Sequence, residues 1–254
     1  MTIVSVDLDD TLLLTSQDYE KAEEDFSIFM ENRFGIDAET VKQKRTEIDY
    51  ELLQKYGLKK ERHKQIYINT LYEFIDNPSA ADVVKAKSFG KQIFKTADEY
   101  ASRGFMNGAE IMLNCLRENT DELHLVTVGD PNVQKPKIEG LNLTKWFDSI
   151  HIPSYETGKK EIFAELLDEC HYTQDNFIHI GNSASSDVEA AISVGGYAVY
   201  ISTDVDWLSN EELHKQVINH KNVYVYNSAT EFIPEIPTVL QNHTHLSNLN
   251  NRII

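Results

Sequence analysis

The feature that most constrains the fold of this chain is the distance between its first strand and the others. Residues 2–8 are β-branched and apolar, as in a fully buried strand, and they end in an abrupt acidic cluster. The following strand-like segment comes only at residues 122–127, and the long span before it has apolar residues at helical spacing. The pattern predicts a sheet whose first strand is separated from its partners by a helical insertion.

Four helices are predicted within this insertion, over residues 18–101. The first two end at Gly35 and Gly57. The third ends at an Asn-Pro pair, and the fourth covers residues 83–100, where Gly90 weakens the pattern. No convincing strand pattern occurs in this span, so we expect it to be all-helical.

Strands and helices alternate after the insertion. The strand candidates are apolar runs that cover residues 122–127, 149–152, 177–180, 197–201 and 223–226. Helical stretches such as 160–170 and 186–194 lie between them. This alternation predicts the α/β fold class, with a doubly wound parallel sheet and helices on both of its faces.

The expected domain organisation follows from these patterns. Residues 1–14 and 101–240 form the α/β core, and residues 15–100 form an all-helical domain inserted into it, which we call the helical block. Residues 241–254 are rich in Asn and His and are expected to form a polar, loosely held C-terminal tail.

The acidic composition restricts the partners of the protein. Its net charge of −17, from 24 basic and 41 acidic residues, repels polyphosphate backbones, so no nucleic-acid partner is expected. A small phosphorylated metabolite is compatible with this charge, because a bound divalent cation and local lysines can invert the field inside one pocket. No apolar stretch approaches the roughly 20 residues that span a bilayer, so no membrane partner is expected.

The first residues and the cysteines predict a cytoplasmic protein. The apolar run after Met1 meets Asp7 almost at once, which is not the pattern of a secretory signal. Cys115 and Cys170 have no metal-ligand spacing around them, so buried or incidental reduced thiols are expected.

Candidate chemistry starts directly after the first strand, in the acidic run of residues 7–12. Asp7 could attack phosphorus as a carboxylate nucleophile, provided that a metal neutralises both anions. Asp9 could protonate the leaving oxygen and later activate water, if the chain leaves regular β geometry so that both carboxylates point the same way. For an isolated Asp-x-Asp, an acidic turn after a strand is the commoner explanation.

Two further features suit a phosphoryl group. Thr127 ends a strand, so its hydroxyl and the backbone N–H groups of Val128 and Gly129 could hold phosphoryl oxygens. A threonine that caps a helix is at least as common at such a position. Lys159 precedes an amphipathic helix and could neutralise the nucleophile and the phosphoryl oxygens, although a surface lysine pair is usually solvated.

The last feature is a polar loop that begins at Gly181 and contains Asn182 and Asp187. Asp187 is placed like a carboxylate at a helix N-terminus, which is its ordinary structural role. It could equally give a hard oxygen ligand to Mg²⁺, which takes one or two protein carboxylates together with waters and substrate phosphate.

In their order along the chain, these four features resemble the four motifs of the haloacid dehalogenase (HAD) superfamily. The motifs are the Asp-x-Asp-x-Thr run, the strand-end Thr, the Lys before a helix and the Gly-x-Ser-x-x-x-Asp loop. The resemblance extends over roughly residues 1–14 and 101–230, with flanking matches at Gln134, Lys137, Trp146, Phe147, Asp148, Ala190, Ala191, Gly195 and Gly196. The helical block resembles the family's inserted cap of the first type, which implies a Rossmann-like core with an all-helical cap domain.

The resemblance implies a role for each matching residue. Asp7 would be the nucleophile and Asp9 the general acid/base, and Mg²⁺ would be bound by the Asp7 carboxylate and the main-chain carbonyl of Asp9. Thr127 would hold the phosphoryl group, and Lys159 would stabilise the pentavalent state. Lys160 is close enough in sequence to be the motif lysine instead.

One position departs from the commoner pattern of the family. The acidic residue usually found after the glycine is Asn182 here, and an amide can donate an oxygen ligand but brings no charge. Asp187 would then supply the remaining carboxylate, and the affinity for the metal is expected to be lower. Which of these two residues contacts the metal directly stays open at this point.

The activity implied is that of a Mg²⁺-dependent phosphomonoester hydrolase that acts on a small metabolite through an aspartyl-phosphate intermediate. Asp9 favours phosphate transfer, since dehalogenases of this family lack an acid at that position and a halide leaving group needs no proton. Three alternatives stay open: a phosphomutase, a phospho-accepting signalling domain, and a family member that binds phosphate with little or no turnover. The sequence does not identify the substrate.

Several other residues have an ordinary structural explanation. His124 and His179 lie in apolar strand runs and are expected within the sheet. His63 in the helical block could reach a substrate, but an exposed helical histidine is the commoner case. Trp146 and Trp207 are expected to pack in the core.

Overall fold

The structure is a computed structural model that describes residues 2–169, 173–202 and 211–250. Its strands are β1 (Ile3–Val6), β2 (Glu122–Val126), β3 (Ser149–His151), β4 (Phe177–Gly181), β5 (Tyr197–Ile201) and β6 (Val223–Tyr226). They form one sheet in the order β3-β2-β1-β4-β5-β6, and every neighbouring pair is parallel. The predicted α/β class with a doubly wound parallel sheet is therefore confirmed.

The strand order reverses direction beside β1. The chain runs outward from β1 through β2 to β3, and it then returns to β4 on the other side of β1. Ser5 on β1 lies opposite His124 on β2 and His179 on β4. Open parallel sheets bind ligands outside the carboxyl ends of the strands at such a reversal, so the ends of β1, β2 and β4 are where a site is expected.

Four helices separate β1 from β2: α1 (Ser16–Phe34), α2 (Ala38–Tyr56), α3 (Lys60–Phe74) and α4 (Ala80–Gln92). They pack around an apolar core of their own. At its centre the ring of Phe26 lies 5.1 Å from that of Tyr67 and 5.6 Å from that of Phe89, separations at which aromatic pairs attract each other. These helices agree with an all-helical block, and its bounds as a separate domain stay a prediction.

The fourth predicted helix is divided into two, so the prediction of a single helix over residues 83–100 is wrong. The chain leaves helical geometry after α4, and α5 (Ala97–Arg103) begins with a capping box. The Thr96 side chain accepts a hydrogen bond from the Glu99 N–H at 3.3 Å, and the Glu99 carboxylate accepts one from the Thr96 N–H at 2.7 Å. This reciprocal pair starts a new helix.

Gly90, which weakens the helical pattern, lies inside α4 because of packing. A Cβ atom at this position would lie 2.4 Å from the carbonyl oxygen of His63 on α3. Only glycine lets the backbones of α3 and α4 approach this closely. Helical periodicity alone does not reveal such a contact.

Helices of the core cover both faces of the sheet. After α5 they are α6 (Ala109–Asn119), α7 (Pro131–Gly140), α8 (Gly158–Glu169), α9 (Ala190–Ser193), α10 (Glu211–Ile218), α11 (Ala229–Phe232) and α12 (Ile236–Asn250). Val4 and Val6 belong to one apolar cluster, whereas Ile3 belongs to another together with Phe163 and Phe177. Successive side chains of β1 thus enter opposite layers, as strand geometry requires. None of the described helices is long and apolar enough to cross a membrane.

The first part of the predicted polar tail is helical and packed, since α12 extends through it. His243 is 2% exposed, and its Nε2 atom lies 3.1 Å from the Tyr224 hydroxyl. Its carbonyl accepts a hydrogen bond from Asn176 Nδ2 at 2.9 Å. A histidine that is buried between aromatic and polar partners holds this segment against the core, and residues 251–254 lie outside the described residues.

Cysteines and tryptophans were also assigned from the sequence, and the structure describes one residue of each type. Cys115 is a partly buried free thiol, as expected. Trp146 is 5% exposed and packs in the core. Cys170 and Trp207 lie outside the described residues.

Candidate active site

The acidic run after β1 forms a turn that keeps Asp9 at the edge of the sheet. The N–H of Asp7 donates to the Ile180 carbonyl at 2.9 Å, and the chain then leaves the strand. Asp10 adopts a left-handed conformation with φ of 56°, which aspartate tolerates better than most residues. As a result Asp7 and Asp9 line the same cavity, so the condition for two cooperating carboxylates is met.

One lysine joins two buried carboxylates at this edge. Lys159 is the second residue of α8, and its Nζ atom lies 2.5 Å from Asp7 Oδ1 and also contacts Asp187 Oδ1. The three residues are 3%, 7% and 1% exposed, respectively. Lys160 is exposed to solvent. The structure therefore places Lys159, and not Lys160, beside the candidate nucleophile.

Asp187 is held by groups from β4 and from the loop after it, and a serine of β1 supports the β4 group. Its Oδ2 atom accepts a hydrogen bond from the Ser183 N–H at 2.8 Å, and its Oδ1 atom lies 3.0 Å from His179 Nε2. His179 Nδ1 lies 2.7 Å from the Ser5 hydroxyl. Gly181 makes room for this arrangement, because a Cβ atom there would lie 2.3 Å from the Asp187 carboxylate.

His179 is buried within the sheet as predicted, but it also has a role that the sequence did not reveal. Burial lowers its pKa to about 4, so the imidazole is neutral near pH 7. A neutral ring that donates from Nε2 to Asp187 accepts from the Ser5 hydroxyl at Nδ1. The signal that could have found this role is the position of His179, two residues before the glycine of the loop and opposite Ser5 on β1.

The cluster of Asp7, Asp187 and Lys159 is short of positive charge. Burial raises the pKa of Asp7 to about 7, and Asp187 acts in the same direction while Lys159 opposes it. Burial also disfavours the charged form of Asp187, but Lys159 and His179 hold its pKa below the ordinary value. Burial acts to lower the pKa of Lys159 too, yet Asp187 and Asp7 raise it above the ordinary value. Two carboxylates thus share a single ammonium group.

The donor atoms at this edge fit magnesium. Asp7 and Asp187 offer carboxylate oxygens, and Asn182 is a buried residue of the same cavity whose Oδ1 atom accepts a hydrogen bond from the Thr11 hydroxyl at 3.1 Å. Hard oxygen ligands and missing positive charge are the conditions under which Mg²⁺ binds. In the described part of the chain no three Asp, Glu, His or Cys side chains form a metal-binding group. Amide, main-chain and water oxygens would therefore have to complete such a site.

The segment after β2 brings Thr127 to the same cavity. Thr127 is 1% exposed, and its hydroxyl oxygen accepts a hydrogen bond from Gln134 Nε2 at 2.9 Å. Val128 also lines the cavity. The N–H of Gly129 donates to the Pro153 carbonyl at 3.0 Å, so the donor that the sequence predicted at this position is already engaged.

Asp9 is anchored by two residues of α7. Lys137 Nζ lies 2.6 Å from Asp9 Oδ1, and Gln134 Nε2 lies 2.8 Å from Asp9 Oδ2. Lys137 and Gln134 are both 2% exposed. In the sequence these two residues are flanking matches of the family resemblance, with no function assigned to them. The signal that could have found it is the spacing of three residues, which puts both side chains on one helix face.

The cavity at this edge has a volume of about 850 Å³. The core contributes Asp7, Asp9 and Thr127 to its wall, and the helical block contributes Leu53 and Leu58. The turn between α2 and α3 also approaches the core directly, since Lys60 N–H donates to Asp130 Oδ2 at 3.0 Å. The helical block therefore covers the candidate site.

Comparison with known proteins identifies the family. The family model described as haloacid dehalogenase-like hydrolase matches residues 1–195. A haloacid dehalogenase-like family hydrolase from Xanthomonas campestris has a similar fold, with 19% identity, a TM-score of 0.76 and coverage of 97% of this chain and 94% of that chain. The sequence has no significant match among curated proteins.

Two further solved structures have a similar fold. The HAD-hydrolase YfnB from Bacillus subtilis, bound to magnesium, has 16% identity, a TM-score of 0.58 and coverage of 94% of this chain and 98% of that chain. A 2-haloacid dehalogenase from Pseudomonas syringae has 18% identity, a TM-score of 0.55 and coverage of 95% and 98%. At such identities the likeness shows the fold alone. The family model spans most of the chain, and the protein therefore belongs to the haloacid dehalogenase-like hydrolase superfamily.

Proposed function

We propose that the protein is a Mg²⁺-dependent phosphomonoester hydrolase for a small phosphorylated metabolite. The observation that carries this proposal is the position of Asp9, a second carboxylate that faces the same cavity as Asp7 and is held there by Lys137 and Gln134. A phosphoester needs an acid for its leaving oxygen, whereas a halide does not. A dehalogenase has no use for this carboxylate.

The proposed reaction has two steps. A carboxylate oxygen of Asp7 forms a bond to phosphorus while the bond between phosphorus and the ester oxygen breaks, and Asp9 gives its proton to the departing oxygen. In the second step Asp9 takes a proton from water, which attacks phosphorus and releases phosphate from the aspartyl phosphate. Asp7 is then regenerated as a carboxylate.

The residues around Asp7 stabilise charge during both steps. Lys159 lies against the nucleophilic carboxylate and can neutralise the phosphoryl oxygens that approach it. Thr127 accepts a hydrogen bond from Gln134, so its own hydroxyl proton can be donated to a phosphoryl oxygen. The main-chain N–H of Val128 lies beside it in sequence and can serve the same group.

The metal would be held by the oxygen atoms of Asp7, Asp187 and Asn182 and by the Asp9 main-chain carbonyl. When bound, Mg²⁺ supplies the positive charge that lets one anion approach another. His179 and Ser183 orient Asp187 toward this role through its two carboxylate oxygens.

A second candidate function is phosphate binding with little turnover. It rests on Asn182, which brings no charge and whose side-chain oxygen is already hydrogen-bonded to the Thr11 hydroxyl. A weaker metal site would leave Asp7 poorly activated. This candidate predicts binding of phosphate analogues without product release.

The test is turnover of p-nitrophenyl phosphate by the full chain with and without Mg²⁺. We expect release of p-nitrophenol that is abolished by chelator and by Asp7→Asn, with a loss of about 10⁴-fold or more. Far-ultraviolet circular dichroism would check that the variant is folded. Release of halide from a 2-haloacid without phosphatase activity would overturn the proposal, and so would a fully active Asp7→Asn variant.

A further inference from the structure

A second cavity, of about 370 Å³, adjoins the first and shares Asp9 with it. Helices α1, α2, α3 and α7 and the segment after α4 form its wall, with Tyr19, Arg45, Arg62, His63, Phe94 and Lys137 among its lining residues. If Asp9 protonates the leaving oxygen, the leaving group begins at Asp9 and extends into this cavity. The volume is that of a pocket for a small molecule and not for a polymer.

Three N–H donors in this wall are buried and have no acceptor among the described residues: Arg45 Nε, Arg62 Nε and His63 Nδ1. The residues that carry them are 5%, 6% and 4% exposed. His63 Nε2 lies 3.4 Å from Arg62 Nη2, and since arginine can only donate, Nε2 is the accepting nitrogen and the ring proton is on Nδ1. Burial, Arg62 and Arg45 hold the pKa of His63 well below the ordinary value, which agrees with a neutral ring.

The carboxylates of the same wall are already engaged. Asp49 accepts from both Arg45 and Arg62. Asp10 accepts from the Thr15 and Ser16 N–H groups at 2.8 and 2.9 Å. The Asp130 carboxylate accepts from the backbone N–H groups of residues 60 and 132, and Asp9 is bonded to α7 as described above.

The polar groups left for a ligand are therefore mainly donors, which call for a ligand rich in acceptor oxygens. Gln134 Oε1 is a buried acceptor without a partner among the described residues, and it suits a hydroxyl group on the same ligand. An unpaired buried donor costs free energy that a ligand oxygen restores. The planar guanidinium groups are suited to oxyanions in particular.

The side chain of His63 in the donor wall is packed between two aromatic rings. The ring of His63 lies between those of Tyr19 and Phe94, with centroid distances of 5.3 and 5.2 Å. The backbone of His63 is in contact with Gly90 on α4. Side chains that are fixed by packing lose little entropy on binding, so such a wall can discriminate between ligands.

We propose that the leaving group of the substrate carries an anionic oxygen group, a carboxylate or a second phosphoryl group, which binds Arg62 and its neighbours Arg45 and His63 in this second cavity. The proposal rests on the proposed function, because it assigns the two ends of one substrate to two cavities that meet at Asp9. It identifies a class of substrate: a small phosphomonoester with a second anionic end.

The test uses the full chain with Mg²⁺ and three homologous series of phosphate monoesters. One series is made from ω-hydroxy acids and ends in a carboxylate, one from α,ω-diols and ends in a neutral hydroxyl, and one is made of diol bisphosphates. We expect kcat/KM for an anionic series to exceed that of the neutral series of equal length by about tenfold or more. The chain length that gives the largest ratio would measure the reach from Asp7 to Arg62.

Arg62→Met is the diagnostic variant, and Arg33→Met is its control. Arg33 is an arginine of the helical block whose side chain is 57% exposed and paired with Asp82. The ratio of kcat/KM between anionic and neutral substrates should fall by about tenfold in Arg62→Met and stay as in the wild type in Arg33→Met. If Arg62→Met shows no thermal unfolding transition, Arg62→Lys retains the charge without the planar fork and should also lower the ratio.

The outcomes separate the two proposals. Turnover of all three series with equal kcat/KM, or a ratio that Arg62 variants leave unchanged, overturns the anionic site while the phosphatase function stands. A larger preference for the bisphosphates than for the carboxylates supports the site and assigns it to a phosphoryl group. Absence of turnover for every series and for p-nitrophenyl phosphate overturns the proposed function itself.

Discussion

Two regions of this molecule bury charged side chains next to Asp9, and they differ in what they lack. The cluster of Asp7, Asp187 and Lys159 at the sheet edge has two carboxylates for one ammonium group, so it lacks positive charge. The wall formed by Arg45 and Arg62 in the helical block has its carboxylates engaged and retains N–H donors without acceptors. The first region suits a cation and the second an oxyanion.

The difference follows from where each region lies in the fold. Residues at the ends of parallel strands converge because the sheet fixes their positions, so the core region can serve a chemical step that every substrate shares. The arginines of the second region lie on helices that pack around an apolar core of their own. Such a region can change its side chains without disturbing the chemistry, and under our proposal it is the region that distinguishes substrates.

The largest expected effect comes from changing Asp9, the residue at which the two regions meet. Asp9→Asn should slow turnover of an alkyl phosphate by about 10²–10⁴-fold, because the leaving alkoxide then departs without a proton. The loss should be much smaller for p-nitrophenyl phosphate, whose leaving group is stable as an anion. The two substrates can be compared by single-turnover kinetics, and equal losses for both would mean that Asp9 is not the general acid.

The next prediction concerns the lysine of the core region. Lys159→Met should lower kcat by about 10²–10³-fold, the range found when one charge-stabilising donor is removed from an active site. Lys160→Met, at an exposed neighbouring position on the same helix, should have little effect. Thermal unfolding in the presence of Mg²⁺ would check that both variants fold. The reverse order of effects would assign the motif lysine to Lys160 and contradict the geometry.

A third prediction concerns the stability of the helical block alone. Gly90→Ala places a methyl group against the His63 carbonyl and should destabilise the packing of α3 on α4 by about 1–3 kcal/mol. Lys87→Ala, on the exposed face of α4, should change the free energy of unfolding by less than about 0.5 kcal/mol. Differential scanning calorimetry is the measurement. If the block is a domain of its own, only one of two transitions should move, whereas a shift of the whole curve would contradict the predicted domain division.

The site at the sheet edge could be predicted from the sequence far better than the helical block. Asp7 and Thr127 lie where apolar strand runs stop, and Asp187 lies in the polar loop after β4. A parallel sheet brings such strand ends together whatever their separation in sequence. No comparable rule exists for helices. The spacing of apolar residues shows which face of a helix is buried, but not which element packs against that face. His63 was expected to be exposed, but only 4% of it is exposed. Its helix α3 packs against the other three helices of the block, so more than one of its faces is buried.

Contacts between distant segments were equally invisible. Lys137 and Asp9 are 128 residues apart in the sequence, and the spacing of Gln134 and Lys137 indicates a shared helix face but not that this face meets Asp9. Thr96 and Glu99, by contrast, have the Thr-x-x-Glu spacing of a capping box, a sequence signal that helical periodicity alone does not use. Their capping box divides a helix that periodicity alone had joined, because local hydrogen bonds to the backbone outweighed the apolar pattern.

The smallest expected effect tests whether the cluster of Asp7, Asp187 and Lys159 lacks positive charge. Asn182→Asp should lower the Mg²⁺ concentration for half-maximal activity by about fivefold or more, since two unit charges about 4 Å apart attract by ~1 kcal/mol even in water-like surroundings and Mg²⁺ carries two such charges. The added carboxylate also repels Asp7 and Asp187 in the metal-free protein. Metal binding relieves that repulsion, so both effects favour the ion.

The same repulsion should make the metal-free Asn182→Asp variant less stable than the wild type, and thermal unfolding with chelator present would measure it. Asn142→Asp, at an exposed position after α7, adds an equal charge away from the site and is the control for net charge. A half-saturating Mg²⁺ concentration that stays constant or rises in Asn182→Asp, with Asn142→Asp unchanged, would place Asn182 outside the metal site. Asp7 and Asp187 would then have to bind the ion without it, and its hydrogen bond with Thr11 would be its structural role.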